Sequence, residues 1–345
     1  MTEQLVTVPS TILVDELLEQ LKELVALDTV SPLDEQQLAA AERLLAGYGC
    51  SRVGGSLFGR GNSDSATWVY CHLDTKPPVP REAWVTDPFR LTRIGDRLYG
   101  LGVSDSKCQL LNALHATLET GFFLIVDTAE ECAGMAAGEL MCGRDIDTLV
   151  VVDGAIGRFD IYNGLSGQVD GVLMVETGRM CLHPGRERTG VEAGAPTMLD
   201  VLAELCNDVA GRPWRFNVTG LSAPVTERSL TLERVEVRFD LRFGVRDLPS
   251  VHAFLSEREC RVRQFIEPLE GRERFEATSI ASGGLAPFSS NVGGHGVTPR
   301  RLIVVPGAHN DNGAHLPNEF IRVDQLFTHR TRLESVLTAI ADQGE

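Results

Sequence analysis

The sequence of 345 residues lacks several features that would assign it to a particular class of protein. No apolar run approaches the roughly 20 residues that a membrane-spanning helix needs. The first residues, Met1 to Val6, carry no basic segment of the kind that begins a secretory signal, so we expect a cytoplasmic location. Internal repeats and low-complexity tracts are also missing. These absences predict a folded cytoplasmic protein with no membrane partner.

Positive charge is scarce as well. The 32 lysines and arginines stand against 48 aspartates and glutamates, which gives a formal net charge of −16 at pH 7. Such a balance disfavours binding to nucleic acid or to an anionic membrane. The eight cysteines form no CxxC pair, and without an export signal they are predicted to be reduced thiols. What is present is an ordinary globular composition in a chain long enough for two domains.

Apolar strand patterns alternate with amphipathic helix patterns along the first half of the chain. The patterns predict strands over 51–58, 67–71, 122–126 and 149–152, and helices over 34–46, from about 105, and over 132–142. This alternation is typical of an α/β fold in which a doubly wound sheet opens a ligand crevice at the carboxyl ends of its strands. The pattern resumes near the end with a strand over 302–305 and a helix over 323–342.

The pattern changes in the middle of the chain. Two strands within 161–176, strands over 214–218 and 235–243, and helices over 197–209 and 249–262 predict a four-stranded sheet with two helices. We therefore predict a catalytic domain with a doubly wound mixed sheet, formed by residues 1–160 and 273–345. A smaller α+β lid domain, residues 161–272, interrupts it.

The predicted strand 67–71 ends on two polar side chains. His72 and Asp74 are two residues apart, which places both on the same side of an extended chain. A histidine that ligates a metal commonly donates its other ring N–H to a carboxylate, so this pair suits a ligand and the group that orients it. A surface histidine beside a turn aspartate is an equally simple explanation of the pair alone.

Further candidate ligands follow other predicted strands and turns. Asp105 comes after a glycine-rich turn, where an N-cap aspartate is common. Glu130 and Glu131 follow the strand 122–126, where an acidic pair is usually a solvated loop. Asp153 ends the strand 149–152, and His315 lies in a loop near the end of the chain. Each residue taken singly is more often structural than functional.

Together these side chains form a chemically coherent set. Two imidazoles and three carboxylates fit two zinc-like ions, each with one histidine, one carboxylate of its own and one carboxylate shared between them. Ions held in this way lower the pKa of a water toward neutrality. Glu130, which the ligand set does not need, could take that water's proton and pass it to a leaving amine.

Five segments occur along the chain in the order HLDT, YGLGVSDSK, TAEE, VVDG and GAHLPNE. They resemble the dizinc aminoacylase/carboxypeptidase-G superfamily, which includes acetylornithine deacetylase and succinyl-diaminopimelate desuccinylase. The resemblance extends over nearly the whole chain. It implies that His72 and Asp153 hold one zinc ion. It also implies that Glu131 and His315 hold the other, with Asp105 as the bridge.

The resemblance also implies the remaining roles. Asp74 would orient His72, and Glu130 would act as the general base. Each chain would bind two Zn²⁺, which Co²⁺ can replace. The inserted unit would be a lid and dimerisation domain, so we expect a homodimer. His183, in the segment MCLHPG, resembles a lid histidine that reaches a substrate carbonyl across the dimer; a turn histidine is the simpler explanation.

Two further residues resemble substrate-binding positions of the family. Arg242, in the segment FDLR, resembles the arginine of an Asp-x-Arg strand that binds a substrate carboxylate. A pairing of Arg242 with Asp240 or Glu236 explains it nearly as well. Gly284, in the segment SGG, resembles a glycine turn that binds substrate.

These observations predict a dinuclear zinc amidohydrolase that cleaves the amide bond of a small N-acyl amino acid, like acetylornithine deacetylase. A zinc dipeptidase, aminopeptidase or carboxypeptidase of the same family is the first alternative. A non-catalytic relative that keeps the metal-binding fold as a scaffold is the second. That second alternative predicts loss of the base or of ligands, whereas this sequence retains all of them.

Overall fold

The computed structural model describes residues 11–118, 120–132, 134–154, 161–182, 198–222, 230–276, 280, 282–286, 290, 292, 296–307 and 310–343. The α-helices of this part of the chain are α1 (Thr11–Ala26), α2 (Glu35–Ala46), α3 (Cys108–Ala116), α4 (Ala136–Met141), α5 (Met198–Ala210), α6 (Leu248–Glu257) and α7 (Val323–Asp342). Within these described ranges, no helix combines the length and the apolar character that crossing a membrane requires.

The strands follow the same chain order. They are β1 (Ser51–Gly54), β2 (Leu57–Arg60), β3 (Thr67–His72), β4 (Thr92–Ile94), β5 (Arg97–Tyr99), β6 (Phe123–Asp127), β7 (Thr148–Val151), β8 (Ile161–Leu165), β9 (Gly167–Leu182), β10 (Arg215–Ser222), β11 (Leu230–Phe243), β12 (Arg261–Ile266), β13 (Leu269–Glu270), β14 (Ser282–Ala286), β15 (Arg301–Val304) and β16 (Phe320–Arg322). The chain divides into two compact units. One comprises Met1–Gly164, Glu270–Gly284 and Ser290–Glu345, and the other comprises Leu165–Leu269 and Leu285–Ser289.

A mixed sheet dominates the first unit, and the predicted α/β class is confirmed. Its strand order runs β1-β2-β6-β3-β7-β15-β8-β13, and β14 also pairs with β8. Strand β3 is parallel to both β6 and β7, and β15 is parallel to β7. Every residue of β3, β6 and β7 is buried, as expected for parallel strands that are covered on both faces. The carboxyl ends of these strands therefore meet at one edge of the sheet.

Helix α2 shows how local sequence sets an element of this unit. The Asp34 carboxylate accepts the backbone N–H of Gln37 at 2.8 Å, and the Gln37 side chain accepts the backbone N–H of Asp34 at 2.9 Å. This reciprocal capping box satisfies two amides that a helix start leaves without partners. Leu38, Ala41 and Leu45 then recur at helical spacing and are buried in the core. Burial of a leucine of this kind contributes about 1.5–3 kcal/mol.

Two predicted elements of the first unit differ in the structure. Residues 51–60 form two antiparallel strands joined by Gly55 and Ser56, and not one strand over 51–58. Gly55 has φ of +44°, a conformation that glycine adopts without steric cost. The helix predicted over 132–142 is shorter, because α4 spans only Ala136–Met141.

The second unit contains an antiparallel sheet in the order β10-β11-β9-β12, with helices α5 and α6 in the same unit. A four-stranded sheet was predicted here, but with different members. Strand β8, counted among the four, belongs to the first unit's sheet. The fourth strand is β12, of which the sequence pattern assigned only the first two residues, to the end of a helix over 249–262, and left the rest unassigned. Only its last residue, Ile266, is fully buried, so β12 lacks the strict alternation of buried and exposed residues that marks a strand.

An ion-pair network joins the beginnings of β7 and β15. The Asp147 carboxylate lies 3.0 Å from Nη2 of Arg300 and 2.8 Å from Nη2 of Arg301. It also accepts the hydroxyl of Thr148 at 2.9 Å. The hydrogen bond from Arg300 is the largest of the interactions that hold the pKa of Asp147 well below its usual range. The network lies at the amino end of β7, whereas Asp153 follows the carboxyl end of the same strand.

We expect Asp147→Asn to lower the free energy of unfolding by about 1 kcal/mol at pH 7, since the ion pairs are partly exposed. A depressed carboxylate pKa stabilises the fold above the unfolded-state pKa, and that stabilisation is lost as pH falls toward the folded-state pKa. The difference between variant and wild type should therefore shrink between pH 7 and pH 3 in thermal or urea unfolding. Glu334→Gln, in an exposed pair with Arg330, is the control with little expected effect. An equal difference at both pH values would contradict the role of charge.

Candidate metal centre

Strand β3 delivers the first candidate ligand. His72 is 1% exposed, and its Nδ1 lies 3.5 Å from a carboxylate oxygen of Asp74 and 3.2 Å from the Asp74 carbonyl oxygen. Its Nε2 lies 3.1 Å from Oδ1 of Asp105 and 3.4 Å from Oδ1 of Asp153. One ring nitrogen is thus held by the neighbouring backbone and Asp74, while the other faces two carboxylates.

A first group of candidate ligands comprises His72, Asp105 and Asp153, whose ligand atoms all lie within 4.8 Å of one another. The parallel sheet explains the approach of two of them. Tyr70 of β3 pairs with Val151 of β7, so the residues that follow these strands emerge side by side. Distant segments of the sequence therefore meet because the strands are parallel and in this register.

A second group comprises Asp105, Glu131 and His315, again within 4.8 Å. Nε2 of His315 lies 2.8 Å from Oε1 of Glu131 and 3.3 Å from Oδ2 of Asp105. Asp105 therefore belongs to both groups, with Oδ1 toward His72 and Oδ2 toward His315. This is the arrangement that a carboxylate shared between two ions requires.

Asp74 connects β3 to the turn that carries the two adjacent acids. Its carboxylate accepts the backbone N–H of Glu130 at 3.1 Å and that of Glu131 at 2.8 Å. It also accepts a hydrogen bond from the Ser31 hydroxyl. One buried carboxylate therefore holds both the His72 ring and the backbone of Glu130 and Glu131. Sequence reasoning missed Ser31, because nothing near residue 31 marks a contact with residue 74.

Lys76 also acts on the second group. Its ammonium lies 3.2 Å from Oε2 of Glu131 and donates a hydrogen bond to the Glu131 carbonyl oxygen. This contact occupies one carboxylate oxygen of Glu131 and leaves the other toward His315. Lys76 was not among the predicted site residues, although it directly follows the HLDT segment.

Glu319 anchors the turn that carries Asp105. Its carboxylate is 2% exposed and accepts the backbone N–H groups of Gly102, Ser104 and Asp105 at 2.9, 2.7 and 2.9 Å. Burial raises the pKa of Glu319 to about 7. Sequence reasoning missed this role too, although Glu319 closes the GAHLPNE segment.

The charges in the centre are strongly coupled. Burial disfavours a charge on His72, but Asp153 and the other facing carboxylates outweigh it and hold the pKa of His72 well above its usual value. Hydrogen bonds to Asp105 and Glu131 raise the pKa of His315 to about 10. Desolvation, with the negative charge of Asp153 next in size, raises the pKa of Glu130 well above its usual value.

The residues present fit a pair of divalent cations. Imidazole nitrogens and carboxylate oxygens are the donors that zinc takes in hydrolytic sites, where protein ligands leave a position open. Each group supplies three such donors, and the two groups share one residue. A pocket that is open to solvent adjoins them. Its lining includes Asp105 and His315 beside Trp84, Leu316 and Pro317, which combines candidate ligands with an apolar wall suited to a small molecule.

The remaining predicted residues lie elsewhere. Arg242 is in β11 of the second unit, where its Nε donates to Oδ1 of Asp240 at 3.0 Å, so the alternative pairing is present. Gly284 is part of strand β14 and not of a turn, and a Cβ added there would meet no atom within 4 Å. His183 lies outside the residues that the structure describes.

The fold and the two groups of candidate ligands are typical of metal-dependent hydrolases of the mixed α/β class. Residues 68–339 match the sequence profile of Peptidase family M20/M25/M40. The chain belongs to this family, whose members depend on metal ions, and it is a hydrolase that acts on amide or peptide bonds. The predicted family resemblance is thereby confirmed.

Individual relatives are distant. A succinyl-diaminopimelate desuccinylase of Xanthomonas euvesicatoria pv. vesicatoria is 26% identical, with 93% of this chain and 99% of that protein covered. The enzyme of the same name from Bordetella petrii is 27% identical, over 68% of this chain and 71% of that protein.

Solved structures establish the fold. An M20 family metallo-carboxypeptidase from Sulfolobus solfataricus has a TM-score of 0.65 at 16% identity, over 95% of this chain and 99% of that one. Human carnosine dipeptidase 1 has a TM-score of 0.62 at 17% identity, over 96% of this chain and 98% of that one.

Proposed function

We propose that this protein is a dinuclear zinc amidohydrolase that cleaves the amide bond of a small N-acyl amino acid. The observation that carries the proposal is the position of Asp105. Its two oxygens face Nε2 of His72 and Nε2 of His315 separately, and each of these ring nitrogens has one further carboxylate close to it. A mononuclear site would need no such shared ligand.

In this proposal His72, Asp153 and Asp105 hold one ion, and Glu131, His315 and Asp105 hold the other. Two ions bound there would polarise the substrate carbonyl and lower the pKa of a water molecule.

The other side chains orient groups and move the proton. Asp74 fixes the His72 ring and the backbone of the adjacent acids. Glu130 takes a proton from the attacking water and gives it to the leaving amine.

The deacylase reaction is supported by the relatives named succinyl-diaminopimelate desuccinylase, one of which aligns over nearly its full length. A dipeptidase or carboxypeptidase reaction is the alternative, supported by structural neighbours that carry those names. Both reactions hydrolyse a C–N bond beside a carbonyl, so the same metal centre would serve either. The substrate is in both cases a small amino-acid derivative.

The proposal includes the lid and the assembly. Residues 161–272 would act as a lid and dimerisation domain in a cytoplasmic homodimer. His183 would stabilise the developing oxyanion from the partner chain. Arg242 would bind a substrate carboxylate through its planar guanidinium after exchanging its Asp240 contact for the substrate. Gly284 would contribute to the substrate-binding backbone.

Chelation and reconstitution test the proposal directly. Protein stripped with a chelator should lose activity and regain it with Zn²⁺ or Co²⁺, at about two ions per chain by elemental analysis. The reconstituted enzyme is then assayed against N-acetyl and N-succinyl amino acids and against dipeptides. We expect kcat/KM at least about tenfold higher for an N-acyl amino acid, a difference of ~1.4 kcal/mol. Faster dipeptide cleavage would favour the peptidase alternative, and one ion or none at full activity would contradict the dinuclear centre.

A further inference from the structure

Two segments that carry candidate ligands are joined by one antiparallel strand pair. Strand β16 pairs with β5, with Phe320 opposite Tyr99. Glu319 therefore stands opposite Gly100, whose backbone N–H donates to the Glu319 carbonyl oxygen at 3.2 Å. This register places the start of β16 against the turn that leads from β5 to Asp105.

The Glu319 side chain then enters that turn. Residues 102, 104 and 105 all point their backbone N–H groups at its carboxylate, at 2.7–2.9 Å. Successive amides arranged in this way form a concave anion site, and here the anion is a side chain of the same protein. Three hydrogen bonds that converge on one buried side chain hold the turn firmly.

The turn is tied to β3 as well. The Ser106 hydroxyl donates to the carbonyl oxygen of His72 at 2.8 Å. Gly102 has φ of +72°, and a Cβ there would approach Cγ2 of Thr75 to 2.4 Å, so the turn lies directly against the HLDT segment. Asp105 is thus fixed from one side by the strand that carries His72 and from the other by Glu319.

His315 depends on the same anchor. It has φ of +63°, a conformation that is unusual for a residue with a side chain, and it lies four residues before Glu319. Asn318 holds the intervening segment from its other side, because its side chain accepts the N–H of Val85 at 2.7 Å and donates to the carbonyl oxygen of Ala83 at 2.9 Å. The segment 315–319 is therefore clamped at Asn318 and Glu319.

We propose that Glu319 is a positioning residue that sets the spacing of the two histidines about Asp105. Its carboxylate fixes the backbone of Asp105, and its own backbone fixes the end of the His315 segment. Among the described residues, it belongs to neither group of candidate ligands. The proposal rests on the proposed metal centre and adds a residue that makes the two ligand groups depend on each other.

The test compares Glu319→Gln with Asp147→Asn. Both changes replace a carboxylate that accepts several hydrogen bonds with an amide. Asp147, however, lies at the amino end of β7, whereas the first ligand group lies at the carboxyl end of that strand. We expect Glu319→Gln to weaken zinc affinity about 10- to 100-fold, the usual effect of losing a group that supports metal ligands. In the chelator-stripped protein, Glu319→Gln should also shift the imidazole ¹⁵N NMR signals of His72 and His315. These signals are assigned by comparing spectra of variants in which each histidine is replaced. Asp147→Asn should lower the melting temperature and leave both readouts unchanged.

A merely structural Glu319 gives a different result. Glu319→Gln would then lower the melting temperature while zinc affinity and both imidazole signals stayed at wild-type values, which overturns the proposal. If Glu319→Gln does not fold, Glu319→Asp keeps the charge but withdraws it by one methylene, and the same two readouts decide. Wild-type protein that bound no zinc would refute the proposed function, whereas the imidazole signals would still decide the role of Glu319.

Discussion

Glu130→Gln is expected to lower kcat by about 10²- to 10⁴-fold while the protein keeps its full metal content. The amide side chain has nearly the same shape as the carboxylate but cannot take a proton from water. Glu130 belongs to neither ligand group of the described residues, so its loss should leave coordination intact. Steady-state kinetics and elemental analysis of the same preparation measure the two quantities together.

The neighbouring acid provides a matched control. Glu131→Gln makes the same chemical change one residue away, but Oε1 of Glu131 lies 2.8 Å from Nε2 of His315 within the second group. It should therefore lower the metal content as well as kcat. Equal metal loss in both variants would mean that the roles of base and ligand are assigned wrongly.

Asp105→Ala is expected to damage both metal groups at once, because one oxygen of Asp105 faces each histidine. The metal content after reconstitution should fall from about two ions per chain to less than one. Activity should fall with it, by at least as much as in Glu130→Gln, since the shared ligand supports both ions.

Variants of the unshared ligands sharpen this prediction. Asp153→Ala removes a carboxylate from the first group only, and Glu131→Ala from the second only. Each should retain close to one ion per chain under conditions in which Asp105→Ala retains less. If Asp105→Ala binds as much metal as either of the other variants, Asp105 is not shared between the ions.

Much of the centre could be predicted from the sequence, because parallel strands of an α/β sheet place their carboxyl ends together. The residues that follow β3 and β7 could therefore be assigned to one site before any contact was known. Glu131 follows β6 in the same way. The family resemblance supplied the pairing of each histidine with its carboxylate, which the order of strands alone leaves open.

The supporting contacts could not be predicted in this way. Ser31 and Glu319 lie away from the carboxyl ends of the parallel strands, whereas Lys76 follows β3 as closely as Glu131 follows β6. Each of the three acts through a contact that only the folded chain defines. Strand β12 was missed for a related reason. It is partly exposed over most of its length, so burial does not impose the alternation by which a strand is recognised.

The pairing of β16 with β5 also limits how this part of the chain can change during evolution. Residues 316–319 join His315 to Phe320. His315 belongs to the second ligand group, and Phe320 is fixed by its pairing with Tyr99. One inserted residue adds up to about 3.3–3.6 Å of chain, whereas metal–ligand distances tolerate changes of only about 0.2 Å. Leu316 is 61% exposed, so its replacement should cost little packing in the core. The segment should therefore accept substitutions at that position but no insertion or deletion.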